Sequence, residues 1–319
     1  MSKMPALPRL HVWQVHYEVI RGGELPPLPT TALHGALART IYDDVCIAKA
    51  RPDCAGCPAE QTCAYPVLFE PPTRDLQSLR QLGVTTEPPR PLAIAPDPPL
   101  IPTTEEPIVV RRGNRIRFRL VALGKVWDYW DHLRRALRRV GRKGLGARDS
   151  RVTLELEELT PLPSVEPPSA SAADAVTLHF VTPLRLKHQG QIASSIDGPL
   201  LLDAIARRAA LLAHLDGTDW QLSEKLASAA TALQSVASVR VVRVGRYSGR
   251  QQRWMLWPGL VGTVRLSGPT LPDLVPLLHF GSIAQVGKAT TFGFGRYELS
   301  FDGHSRGREL AGTAAAENS

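Results

Sequence analysis

The chain has 319 residues, enough for one large domain or two of ordinary size, and 43% of them are apolar, so a packed core can form. No apolar run is long enough for a transmembrane helix and the opening Met1-Ser-Lys-Met-Pro-Ala-Leu-Pro lacks the apolar centre of a signal peptide, so a cytoplasmic location is the default expectation. The net charge of +8 points to a polyanionic partner, RNA, DNA or an anionic membrane surface, because clustered arginine offers planar, paired donors to phosphate.

Taken in chain order, alternation predicts a strand over Leu10–Ile20 and helical spacing a helix over Thr31–Val45. On that helix Leu33, Leu37, Ile41 and Val45 form the core-facing stripe, with His34 beside it. All four cysteines follow at once: Cys46, Cys54, Cys57 and Cys63, spaced C-x7-C-x2-C-x5-C. Four thiols in one short segment of a cytoplasmic protein suit a structural zinc better than disulfides. An iron–sulfur cluster and four plain thiols are the alternatives, and a catalytic zinc is excluded by the absence of an open ligand position. The proline-rich stretch from Glu87 to Pro107 reads as extended and irregular. A strand pair falls within Val67–Val121, clearest at Ile116–Val121, then a helix over Val126–Val140, a glycine turn at Gly141–Gly146 and a strand at Val152–Leu156. Thr160 to Asp174, rich in proline, serine and alanine, has the composition of a linker, with a boundary near Ser169.

The second half repeats the order. A strand lies around Val176–Phe180, a helix over Pro199–His214, strands at Val239–Val244 and Leu256–Leu266, a helix over Leu271–Ile283 and a strand at Arg296–Phe301. Both halves therefore read βαββαβ, and the expected class is α+β: two tandem ferredoxin-like, RRM-like domains, residues 1–168 and 169–303, with a disordered tail over 304–319. In each half a glycine cluster with a lysine precedes the last strand: Gly141, Lys143, Gly144 and Gly146 in one, Gly287, Lys288, Gly293 and Gly295 in the other. Glycines at such a place would let backbone N–H groups approach a phosphate, or would simply serve tight turns.

Gly287-Lys-Ala-Thr-Thr-Phe-Gly-Phe-Gly-Arg-Tyr resembles the C-terminal glycine-rich signature of the CRISPR repeat-processing endoribonucleases of the RAMP superfamily. Phe180-Val-Thr-Pro-Leu-Arg-Leu-Lys, Arg246-Tyr-Ser-Gly-Arg-Gln and Gly259-Leu-Val-Gly262 resemble other parts of its second domain. Leu33-His-Gly-Ala-Leu-Ala-Arg, the cysteine cluster and Tyr65-Pro-Val-Leu-Phe-Glu70 resemble the first domain of a subgroup, which often carries arginine in place of His34 and histidine in place of Gln285. The resemblance implies cleavage of repeat RNA into guide RNA without a metal cofactor for catalysis, and association with other CRISPR effector subunits. It also places the family's catalytic histidine on the helix of His34.

RNA carries its own nucleophile in the 2′-hydroxyl, so cleavage needs a base, an acid and positive charge on the phosphorane. His34, near a helix N-terminus that keeps imidazole neutral, is the expected general base. Tyr42 and Lys288 complete the catalytic candidates. RNA binding is expected of Arg134, Arg135, Arg138, Arg139, Arg142 and Lys143 on one basic helix, where only Asp131 and Asp149 are near enough in sequence to balance the charge. It is also expected of Lys187, His188, Arg246, Arg250 and Arg253, and of Gly287, Lys288, Thr290, Thr291, Gly293 and Gly295 in the signature. The rival reading is a non-catalytic RAMP subunit that only holds guide RNA.

Overall fold

The computed structural model describes residues 4–49, 51, 53–71, 79–80, 89–102, 106–164, 174–248 and 253–302. Strand β1 (Leu10–Arg21) buries Trp13, Val15, Tyr17 and Val19, so its alternation aims one face at the helices. It is followed by β2 (Gly23–Leu25), α1 (Thr30–Val45), α2 (Ala64–Phe69), β3 (Leu92–Asp97), β4 (Ile108–Val110), β5 (Arg115–Leu123), α3 (Trp130–Lys143) and β6 (Thr153–Leu162). The order β3-β5-β1-β6, all antiparallel, is that of a ferredoxin-like sheet.

The second sheet repeats it with β7 (Ala175–Leu184), the helices α4 (Gly198–Leu215) and α5 (Glu224–Thr231), β10 (Gln234–Ser248), β11 (Arg253–Ser267), α6 (Leu271–Ala284) and β12 (Tyr297–Phe301). Its order is β10-β11-β7-β12, and a small hairpin, β8 (Lys187–His188) with β9 (Gln191–Ile192), projects after β7. The two halves share one further device. Tyr17 donates to the Leu137 carbonyl at 2.8 Å beside Gly141, and Tyr297 donates to the Leu278 carbonyl at 2.6 Å beside Gly281. In each case a buried tyrosine reaches a helix where glycine leaves room for it.

The tandem α+β expectation holds, with corrections at the edges. The proline-rich stretch read as irregular contains β3, whose Leu92, Ala93, Ile94 and Ala95 are all buried. Among the described residues strand β3 pairs with β5 alone, so Pro96 sits on an edge strand, where proline is tolerated. The same reasoning lets β6, the opposite edge, run through Pro161 to Leu162, into the segment read as linker. The boundary near Ser169 and the tail at 304–319 lie outside the described residues. No helix among the described residues is long and apolar enough to cross a membrane.

One apolar core runs through both halves. A second, smaller cluster joins Leu28, just before α1, to Val244 and Phe294 of the second half, with Trp257, Ala289 and Phe292 packed on it. This small cluster locks the two halves together next to the candidate site.

Candidate functional site

Helix α1 begins after Leu25-Pro-Pro-Leu-Pro29, where three prolines stiffen the approach and Thr31 Oγ1 donates to the Leu28 carbonyl at 2.8 Å. Leu33, Leu37 and Ile41 are buried as the stripe predicts. His34, beside the stripe, is buried too, at 8% exposure. The reason is tertiary. The glycine-rich loop of the second half folds over this helix: Thr30 Oγ1 donates to the Phe292 carbonyl at 2.7 Å, and the Phe292 ring lies 3.9 Å from the imidazole. Phe69 of α2 closes another side at 5.6 Å.

The signature's glycines make this docking possible, by a different route from the open phosphate cradle expected of them. A Cβ on Gly293 would lie 2.3 Å from Thr30 Oγ1, one on Gly295 1.9 Å from the Val286 carbonyl, and one on Gly287 2.4 Å from the Arg185 carbonyl. All three have positive φ. Their region's N–H groups are spent internally: Lys288 donates to the Arg185 carbonyl at 2.7 Å and Gly295 to the Pro183 carbonyl at 2.9 Å. Thr290 and Thr291 are buried, so their side chains line the fold more than they face a ligand. Gln285, with its amide nitrogen turned inward, donates to the Thr290 carbonyl at 3.0 Å and the Phe294 carbonyl at 2.9 Å, which fixes the loop's base. The glycines at 141, 144 and 146 are likewise pressed against Leu154, Val152 and Glu24 backbone.

Around His34 the charge is positive. Burial, then Arg90 and Arg246, lower its pKa to about 3, so the imidazole is neutral near pH 7. Its Nε2 is buried with no hydrogen-bond partner among the described residues. Arg246 lies 4.4 Å over both the Phe292 and Trp257 rings, and Arg185 lies 4.9 Å over Trp257. Each of these guanidiniums has a buried Nε with no partner among the described residues, and burial lowers the pKa of both. Imidazole, phenyl ring, guanidinium, indole and guanidinium are thus linked by successive close contacts. Such a cluster offers a proton acceptor beside donors suited to a phosphate.

The other expected residues separate into groups. Lys288, Lys187 and His188 are exposed on the rim of a cleft that Thr290, Thr291 and Arg90 also line, next to the His34 surroundings. Tyr42 does not join His34. Eight residues along α1, about 12 Å, its ring packs edge-on against Tyr65 at 5.0 Å and its hydroxyl reaches the Lys49 carbonyl at 3.4 Å, beside Cys46. It belongs to the cysteine segment. The basic face of α3 is exposed as expected at Arg134, Arg135, Arg138, Arg139, Arg142 and Lys143, but its charge is balanced more than the sequence suggests. Arg139 pairs with Asp44 and Lys143 with Asp43 at 3.9 Å, so this face lies at the far end of α1 from His34. Arg253 is exposed at the start of β11, and Arg250 lies outside the described residues. Sequence reasoning missed Arg90, Phe69, Phe292, Trp257 and Arg185 as neighbours of one site. Arg90 sits in a proline-rich stretch with no periodicity, and the others come from elements far apart in the chain.

The four thiols are half-buried and unbridged. Cys54 and Cys57 span one turn, the Cys57 N–H donating to the Cys54 carbonyl at 3.0 Å. Burial raises the Cys54 and Cys63 pKa, with the Glu70 carboxylate adding to it at Cys54 and the neighbouring thiols adding at both. Among the described residues no group of three or more His, Cys, Asp or Glu is placed to hold a metal ion. The thiols as arranged therefore do not form a ready zinc site.

Residues 178–297 match the family model described as CRISPR-associated endoribonuclease Cas6, and residues 7–173 match one described as an N-terminal domain. No curated protein sequence matches the chain. Among solved structures, a Cas6 product complex is 16% identical with a TM-score of 0.53, the match covering 92% of this chain and 100% of that one. A Cas6-related protein from Pyrococcus furiosus is 11% identical with a TM-score of 0.51, covering 92% and 99%. A partial Cas6-RT-Cas1–Cas2 complex is 14% identical with a TM-score of 0.54, covering 93% of this chain and 47% of that one. At these identities the structures speak for the shared tandem fold.

Proposed function

We propose that this chain, whose residues 178–297 match the Cas6 endoribonuclease family model, is a RAMP-type endoribonuclease that binds CRISPR repeat RNA and cuts it by 2′-hydroxyl attack. The observation that carries this reading is the docking of the glycine-rich loop onto the His34 helix, with Phe292 3.9 Å from the imidazole and Arg246 stacked beyond it. In the proposed reaction neutral His34 takes the proton of the 2′-hydroxyl. The 2′-oxygen bonds to phosphorus, the bond to the 5′-oxygen breaks, and that oxygen leaves with a proton as a 5′-hydroxyl. The other end keeps a 2′,3′-cyclic phosphate. Arg246 and Arg185, with Lys288 at the rim, would neutralise the charge that builds on the phosphorane. The exposed arginines of α3 would extend the contact along an RNA duplex or strand. Guide RNA and other CRISPR effector subunits are the proposed partners, in keeping with the product complex and the Cas1–Cas2 assembly among the relatives.

The test is incubation of the purified chain with synthetic repeat RNA in EDTA. Product with a cyclic phosphate and a 5′-hydroxyl is the expected result. Tight binding with no product would instead favour the guide-RNA-holding subunit, and no binding would overturn both.

A structural zinc on Cys46, Cys54, Cys57 and Cys63 is a separate proposal that rests on their spacing. Because the thiols are not drawn together as placed, binding would have to order the segment. One zinc per chain is expected by elemental analysis of protein made in zinc-supplied medium, lost in the double variant Cys54→Ser, Cys57→Ser. A metal-free wild type would overturn it.

A further inference from the structure

The cleft that Lys288 overlooks has features the cleavage reading does not use. It lies between the β8–β9 hairpin, α4 and the loop before Thr290, and encloses about 450 Å³, within the range of small-ligand pockets. Five of its lining side chains are cations and one is an acid, Asp203, which is already paired with Arg207. Beside the cations, Leu200 and Leu211 of the same helix and Leu186 add apolar surface to the lining.

At the back sits Arg208. It is only 8% exposed, on a helix face it shares with Leu201, Ile205 and Leu212. Its one described hydrogen bond is long, 3.4 Å from an Nη to the Ala284 carbonyl, and its Nε has no partner among the described residues. Among the described residues no carboxylate offsets its burial, which lowers its pKa to about 10. Burying a guanidinium without a counter-charge is costly, and the cost is recovered when an anion arrives with oxygens in the right plane. Apolar surface beside such a cation suits a ligand with a flat, weakly polar part and a phosphate.

We propose that the Arg208 cleft is a nucleotide subsite, holding the base of one residue against Leu200 and Leu211 and its phosphodiester on Arg208 and Lys187. The turn Thr290–Phe292 separates this cleft from His34, and Arg90 lines the cleft while acting on the imidazole. The subsite therefore takes a nucleotide close to the scissile phosphate, on one side of it. It rests on the reading that the chain binds repeat RNA.

The experiment measures affinity of the full chain for repeat RNA carrying a 2′-deoxy residue at the cut, shortened one nucleotide at a time from either end towards it. Wild type should lose about tenfold at one step, the size of one good charge-assisted contact. Arg208→Met fills a similar volume without the charge, and should bind the full-length RNA about tenfold more weakly and show no loss at that step. Its salt dependence should be lower by about one phosphate contact. If Arg208→Met does not fold, Lys187→Ala on the exposed rim should shrink the same step to a few-fold. Wild-type binding throughout by a folded Arg208→Met, or by Lys187→Ala when only that variant folds, overturns the subsite while leaving repeat binding intact. Failure of the wild type to bind the full-length RNA would sink the repeat-RNA reading itself, and the subsite with it.

Discussion

His34→Ala is expected to lower the single-turnover rate of repeat cleavage by roughly 10²–10⁴-fold, the contribution of a positioned general base, while changing RNA affinity by no more than about threefold. The split follows from the geometry. The imidazole is buried behind Phe292 and presents one unpartnered nitrogen, whereas the charges expected to hold RNA lie outside it on Arg246, Arg185, Lys187 and α3. The pH profile gives an independent reading. Burial, Arg90 and Arg246 bring the His34 pKa down to about 3. The free enzyme's base is then already deprotonated across pH 5–8, so kcat/KM should not fall on acidification to pH 5, where an ordinary histidine near 6.5 would be mostly charged. Bound phosphate adds negative charge beside the imidazole and should raise its pKa in the complex, so an acid limb would show in kcat before it shows in kcat/KM. The same shift has a stability consequence. The folded state keeps the neutral form, so stability is lost as pH falls below about 6.5, where only the unfolded chain takes up the proton. His34→Gln should lose less stability than wild type between pH 6.5 and pH 4 in denaturant titrations. Undiminished cleavage by His34→Ala would move the base elsewhere, with His188 at the cleft rim the next to test.

The element order was legible because both halves obey local rules. Val15, Tyr17 and Val19 alternate with polar neighbours, and Leu133, Leu137 and Val140 recur at helical spacing, so strand and helix announce themselves. Strands β3 and β6 were blurred by prolines that an edge tolerates and a central strand would not. The candidate site was half legible. His34 and the glycine signature each stood out alone, but their contact depends on Thr30 meeting Phe292 across 262 positions, and no periodicity records such a distance. The meaning of the glycines changed for the same reason. A run of glycines reads as open backbone, yet here the space is filled by Thr30, Val286 and Arg185. The charge on α3 was overestimated because Asp43 and Asp44 reach it from another helix.

Gly293→Ala should therefore damage catalysis through packing and not through lost RNA contacts. The residue has φ of +98°, where a side chain costs about 1–2 kcal/mol, and the new Cβ would sit 2.3 Å from Thr30 Oγ1. Thr30 is the first residue of α1 and donates to the neighbouring Phe292 carbonyl, so it cannot retreat without giving up that bond. The strain has to be relieved by lifting the loop from α1, which moves Phe292 relative to His34. A displacement of about 1 Å in such a site can cost roughly 10²-fold in rate. The expected outcome is a folded variant, less stable by about 2 kcal/mol, with cleavage down about a hundredfold and repeat affinity nearly unchanged. Thr30→Ala removes the oxygen in the way, so the double variant should recover part of the loss, and its coupling energy in a double-mutant cycle should be favourable. Gly295→Ala is the contrasting case. Its Cβ would meet the Val286 carbonyl, backbone of its own domain, at 1.9 Å, so no partner substitution can relieve it and stability itself should fall further. If Gly293→Ala cleaves at the wild-type rate, the loop does not set the position of His34, and the glycine signature would have to serve RNA binding alone.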